Sequence, residues 1–562
     1  MKQLSLLLAI CTMALSIGLY VEHTSASSPD VNKSKERFNK LQAGNYLASR
    51  FAQSQHDWEH ANKFIHKLIN AGISQDKILQ RAMILAMGSG NTDDAIKLAK
   101  RIQAQDPDSE NTVAKVFLIA ESMQQDNYEQ AAKIFDKLSQ DATTQFIGPF
   151  IKGWVRAGQK KLDIKKLKNN TVQLYHAILI SDFLGNHNDI EKMIDKALKV
   201  EDINLHERER IADLYGHVGL KKKALDLYDT IIKKQPENEA IKNKIENLKQ
   251  NTNEPLFKKV KTARYGMAKA FHDISNILYN ENNEESARVF GHLALFLEPD
   301  LTSTKFLLAE IAINHEQYEE AISMFRSVAK SDKAYVEAQH EIADVYEKME
   351  EYEKALNLLN TISKKHQDVD TLIKIGNLYR HQERFEKSLI SYNKAYEKLG
   401  RKINKEYWHL HYVRGISYEQ VGQWEKAEAE LKAALELQPD HPYILNYLGY
   451  AWADQGIHLQ EALKMIQRAV ELRPADGYIT DSLGWVLYKV EDYEKAIPVL
   501  ERAVELRPYD PTINDHLGDA YWKVGRHLEA RFQWKRAQNH SEDEEQLEKI
   551  KSKLLVGLDK DT

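Results

Sequence analysis

The sequence predicts an all-α protein, built as a solenoid of antiparallel helix pairs. Three observations lead there. The 562 residues contain only 24 glycines and 12 prolines, well under the ~7% and ~5% of an average chain. That is too few turn residues for a β-sandwich, a collagen-like chain or a disordered linker. Segments Trp408–His441, Gly477–Asp510 and Pro511–Glu544 are each 34 residues long and align with one another, and self-similarity at such a period marks a repeat architecture. Small residues also recur at fixed places in those segments, where two helices must approach closely. Length alone would suggest roughly three or four globular domains, but a solenoid grows by addition, each unit touching only its neighbours.

Taken in order, the chain opens with Lys2, an apolar run from Leu4 to Val21, and small residues at Thr24-Ser25-Ala26. This is the layout of a secretory signal peptide, so residues 1–26 are expected to be a cleaved leader; about 18 mostly apolar residues would also serve as an N-terminal anchor. Cleavage removes Cys11, the only cysteine, and with it disulfides, zinc–thiolate sites and cysteine nucleophiles. Export to a bacterial periplasm or envelope is the expected location.

The late segments are the most regular. Leu483-Gly484 is followed by Ala496, Leu500, Ala503 and Pro508; Leu517-Gly518 and Tyr521 by Ala530, Trp534 and Ala537; Gly415 and Tyr418 by Ala427, Leu431, Ala434 and Pro439. Between them, residues 442–476 repeat the pattern with Leu448-Gly449, Ala462, Ala469 and Pro474, carrying one extra residue in the mid-repeat turn. Gly at the eighth position and Ala at the twentieth let paired helices touch, Ala at the twenty-seventh faces the next pair, and Pro stops the second helix.

This pattern resembles the tetratricopeptide repeat family. The resemblance implies a right-handed superhelix whose concave face is lined by the first helix of each unit. Weaker copies start at Ala268, Thr302, Val336 and Val369, and upstream near Gln42, Asp76, Thr112, Thr171 and Leu205, with Phe146–Asn170 as a truncated unit. The expected organisation is a divergent N-terminal block (27–238), a linker or non-repeat helix (239–267), a middle block (268–402), a short insertion (403–407), a C-terminal block (408–544), and a capping helix with tail (545–562). Pro498 falls early in a second helix and removes one backbone donor.

No constellation for catalysis emerges. His340-Glu341, His315-Glu316 and His206-Glu207 lack a histidine four residues after the first, as the zinc-protease motif requires. Gly88-Ser89-Gly90 lacks the Lys-Ser/Thr of a phosphate loop. The repeats leave no stretch of ~100 residues for a catalytic domain. The chain is therefore expected to be no enzyme, with no metal and no cofactor. Its 78 basic against 83 acidic residues are too balanced for a nucleic-acid partner.

Carried residue by residue, the resemblance places Tyr412, Asn446, Tyr447, Tyr450, Asp481, Trp485, Tyr488, Asp515, Asp519 and Trp522 on the concave face, with Glu419 beside Tyr412. Aromatics interleaved with Asn and Asp can stack on a chain while hydrogen-bonding its backbone. The alternative for each aromatic is packing against the next repeat. The family's two-carboxylate clamp needs Lys, Asn and Arg there; apart from Lys489 and Lys523 this face is aromatic and acidic, which favours a cationic or neutral extended segment. The leading expectation is a scaffold for a protein or peptide partner in the cell envelope. A glycan- or cell-wall-binding module, and an accessory subunit of a polysaccharide-export, pilus or outer-membrane assembly machine, are the alternatives.

Overall fold

The computed structural model describes residues 29–106, 111–167, 170–187, 189–199, 203–235, 238–250, 259–366, 368–400 and 407–558. The expected leader at 1–26, most of the insertion at 403–407 and the end of the tail lie outside them. Among the described residues there are 29 helices and no strand. None is long and apolar enough to cross a membrane. Contacts divide the chain into two units, Met1–Ala355 and Leu356–Thr562, a boundary that falls within the helix Tyr352–His366.

The second unit holds five helix pairs. They are Val369–His381 with Phe385–Leu399, Trp408–Gln420 with Trp424–Leu437, Pro442–Asp454 with Leu459–Leu472, Gly477–Lys489 with Tyr493–Leu506, and Pro511–Lys523 with His527–His540. The close-approach residues behave as their spacing requires. Ala427, Ala462, Ala496 and Ala530, and likewise Ala434, Ala469, Ala503 and Ala537, are fully buried. A Cβ on Gly415 would sit 2.7 Å from Leu431 Cγ, and one on Gly449 2.8 Å from Ile466 Cγ1. Pro498 lies inside Tyr493–Leu506 as its sixth residue, so one intrahelical donor is missing there. Helix Glu544–Val556 closes the array and buries Ile550 against it. A terminal repeat needs such a cover.

The first unit also runs in pairs, from Pro29–Ser54 with Trp58–Asn70 to Thr302–Asn314 with Tyr318–Arg326. Helix Ala142–Gly158 stands without a helical partner of its own, followed by non-helical chain over 159–167. Within residues 239–267 the structure has the helix Glu239–Gln250 and the start of Ala263–Asn280, which Thr262 caps by accepting from the Tyr265 N–H.

The pair Ala263–Asn280 and Glu284–Leu297 packs on helices far upstream: Asp76–Gly88, Thr92–Gln105, Thr112–Gln124, Ala142–Gly158 and Thr171–Phe183. Four of these five are first helices or the unpaired helix, so the first helices of the upstream repeats are covered by later parts of their own chain. A Cβ on Gly266 would overlap the Trp154 indole. Asp273 accepts from both Arg210 nitrogens (3.1 and 2.6 Å) and lies 2.8 Å from His176 Nε2, while Trp154 Nε1 donates to His176 Nδ1 at 3.1 Å. Burial opposes charge on Asp273, but Arg210 and His176 outweigh it and hold the carboxyl well below its ordinary range.

Candidate partner-binding face

In the second unit the first helices carry all ten candidate residues, in three connected groups and two isolated members. Tyr412 meets Tyr447 edge to face, with centroids 6.0 Å apart, and the Tyr447 hydroxyl donates to Glu419 Oε2 at 2.9 Å. Burial, then Glu419, pushes the Tyr447 phenol up. Tyr450 and Asn446 sit half-buried on the same helix; burial lifts Tyr450 to about 12, with Asp454 and Asp481 adding to it. The side-chain oxygen of Asn446 is buried and has no hydrogen-bond partner.

Trp485 anchors the second group. Its ring stacks on Tyr488 (5.0 Å, 3° between planes) and on His516 (4.1 Å, 16°), with Lys489 Nζ 5.0 Å from its centroid. His516 in turn sits 3.0 Å from Asp481 Oδ2. Burial works against a charged His516, but Asp481, with Asp515 and Asp519, prevails and raises its pKa. The ring faces of Trp485 are thus taken up by its own neighbours, whereas its Nε1–H is buried without an acceptor.

The third group is tied to the cap. Lys553 Nζ lies 2.7 Å from Asp515 Oδ2 and 2.8 Å from Asp519 Oδ2. Asp519 also accepts from Trp534 Nε1 at 2.8 Å, and Asp515 Oδ1 is left unpaired. Trp522 stacks on His527 at 4.0 Å and touches Trp534 at 5.2 Å. Burial and the neighbouring Asp515 push Asp519 up to about 6, against the pull of Lys553.

His516 and Lys553 were absent from the residues read off the repeat pattern. One signal for Lys553 was available. Counting the cap from Glu545 as another first helix puts Lys553 at its ninth position, the position of Trp485 and Asp519 in theirs. The three acids are thereby matched to cations or to a donor of the same unit. What stays unmatched on three successive first helices is a set of neutral or shared hydrogen-bonding atoms: Asn446 Oδ1, Trp485 Nε1 and Asp515 Oδ1.

Family models described as tetratricopeptide repeat match residues 312–374 and 412–477, and one described as TPR repeat matches 484–525. The TPR repeat-containing protein PA4667 of Pseudomonas aeruginosa is 34% identical over 90 residues, which are 16% of this chain and 15% of that relative's length. A tetratricopeptide repeat protein structure from Parabacteroides merdae is similar at 13% identity, with 44% of this chain and 96% of that one covered and a TM-score of 0.36. MamA 41-end from Desulfovibrio magneticus aligns at 20% identity over 32% of this chain and 95% of its own, with a TM-score of 0.27.

Proposed function

The chain is a tetratricopeptide-repeat protein, and on that premise we propose that it is a non-catalytic scaffold of the bacterial cell envelope. It holds an extended polypeptide on the inner face of residues 408–544. Repeats of this kind serve protein interaction in general. The observation that carries the finer reading is the row of buried, unpartnered atoms Asn446 Oδ1, Trp485 Nε1 and Asp515 Oδ1. A buried polar group without a partner costs ~1–3 kcal/mol, and an extended main chain offers both donors and acceptors to relieve it. Because Lys553 and His516 already answer the acids of this face, recognition falls on the ligand's backbone more than on its charge. The leader-like residues 1–26 support export. The covering of the first helices in the first unit supports placing the ligand in the second.

A photo-reactive residue at Trp485 or Asn446, compared with one at the outward, exposed Arg502, tests this in intact cells. Polypeptide adducts are expected from the two inner positions. Equal adducts from position 502, or adducts with polysaccharide alone, refute the assignment. Resistance of the chain to protease added to intact cells, lost once the outer envelope is opened, checks the location.

A further inference from the structure

We propose that His56, Glu284 and His315 form a zinc-binding site in the first unit, one that staples its first helix pair to two much later helices. His56 sits in the turn between Pro29–Ser54 and Trp58–Asn70, Glu284 opens the helix Glu284–Leu297, and His315 caps the end of Thr302–Asn314. Fold contacts alone bring these distant residues together. One ligand-type atom from each lies within 4.8 Å of the others. The two imidazoles stack at 3.4 Å with 7° between their planes, and His315 Nε2 contacts Glu284 Oε2. All three side chains are half-buried.

Two imidazole nitrogens and one carboxylate oxygen make a borderline-soft N2O set, which suits Zn²⁺ and not Ca²⁺ or Mg²⁺. Zinc bonds of ~2.0–2.1 Å place tetrahedral ligand atoms about 3.3 Å apart, so to close on the ion the two rings must swing out of their parallel stack until both in-plane lone pairs converge on it. The fourth position is left to water. Two further observations favour a ligand here. No hydrogen bond reaches either ring nitrogen of His56 from the described residues, although the ring is half-buried. The nearby cation, Arg288, is already committed to Glu320 and to the Gly88 carbonyl, so it does not claim Glu284.

The staple has a physical rationale. With Cys11 as its only cysteine, the chain has no disulfide to join remote segments. The neighbouring cross-links are single hydrogen bonds such as Gln53 Nε2 to Glu285 Oε1 at 3.1 Å. A zinc ion at this corner would hold the later helices closed over the upstream first helices.

The test uses the full chain, stripped with chelator and titrated with Zn²⁺ by calorimetry and with Co²⁺ by visible absorption. The variants are His56→Gln, His315→Gln and, as control, His458→Gln, an exposed turn histidine of the second unit. His56→Gln leaves a foldable turn, because Asp126, Lys160, Glu316 and Glu491 hold the same positive φ. One Zn²⁺ per chain is expected, with a Co²⁺ spectrum of four-coordinate type and a rise in the melting temperature. Losing a true ligand should weaken binding at least as much as the ~10–100-fold seen for second-layer partners, while His458→Gln binds like the parent. Absence of saturable binding overturns the proposal. So does binding that survives both His56→Gln and His315→Gln unchanged.

Discussion

Lys553 Nζ lies 2.8 Å from Asp519 Oδ2, joining the closing helix to the last full repeat through a side chain of its first helix. The same ammonium reaches Asp515 at 2.7 Å. Burial disfavours charge on Lys553, but Asp519 and Asp515 outweigh it and raise its pKa. Replacing it by alanine strands two carboxylates of which one is buried. We expect Lys553→Ala to cost ~2–4 kcal/mol, seen as faster amide exchange across 511–556 and a lower urea midpoint for the second unit.

Acid should act with opposite sign on the helix pair 263–297 of the first unit and on the last repeat, 511–540, of the second. In the first, burial lowers His272 to about 4 and His292 to about 3. A histidine whose folded pKa is depressed is protonated more readily when unfolded, so stability is lost as pH falls from about 6.5. Asp273 adds a further loss below about 4, and Asp213 and Glu285, both raised by burial, offset part of it. In the second unit Asp519, raised to about 6, binds its proton earlier when folded and so relieves a penalty as pH falls from 6 towards 4. The raised pKa of His516 likewise contributes stability that is present below about 6.5 and lost as pH rises through the folded value. Protection factors, that is exchange corrected for the intrinsic rate's own fall with pH, should drop between pH 7 and pH 5 over 263–297 and not over 511–540. Asp519→Asn should reduce the second unit's gain.

The glycines at the eighth position should resist even one methyl group. Gly415→Ala and Gly449→Ala each push a Cβ to within 2.8 Å of a facing aliphatic side chain, so both should cost ~1–3 kcal/mol in urea unfolding. Gly422, with φ +73 and open space around it, should lose about 1 kcal/mol as alanine through backbone strain alone.

Asp273→Ala leaves Arg210 and His176 without their shared acceptor inside the first unit. A loss of ~3–5 kcal/mol is expected, with exchange rising first in Ala263–Asn280 and in Thr171–Phe183. Unchanged protection in Thr171–Phe183 would show that the network does not bind these helices together.

The close-approach glycines and alanines were legible because each obeys a local steric rule that returns every 34 residues. The helix pairs of the second unit and its closing helix follow from the same rule. The covering of the upstream first helices was not legible. It depends on pairs such as His176 with Asp273, 97 residues apart, and Arg288 with Gly88, 200 apart, and a short period carries no information about such distances. The candidate face was legible as positions and only partly as chemistry. Asp481, Asp515 and Asp519 lie on the first helices as expected, yet their partner His516 comes from the first helix of the next repeat and Lys553 from the closing helix, neither of which a repeat read in isolation contains. The cluster of His56, Glu284 and His315 had no signal at all, since its members share neither a motif nor a helix.

Trp154, fully buried, is covered in part by a helix that begins only at Ala263. A polypeptide made from its N-terminus, at ~5–20 residues per second, therefore completes the upstream helix pairs on the order of ten seconds before it has made what shields them. During that interval the aromatic surface of the nascent repeats is open to water and to other chains. That exposure belongs to synthesis, and the finished fold no longer shows it.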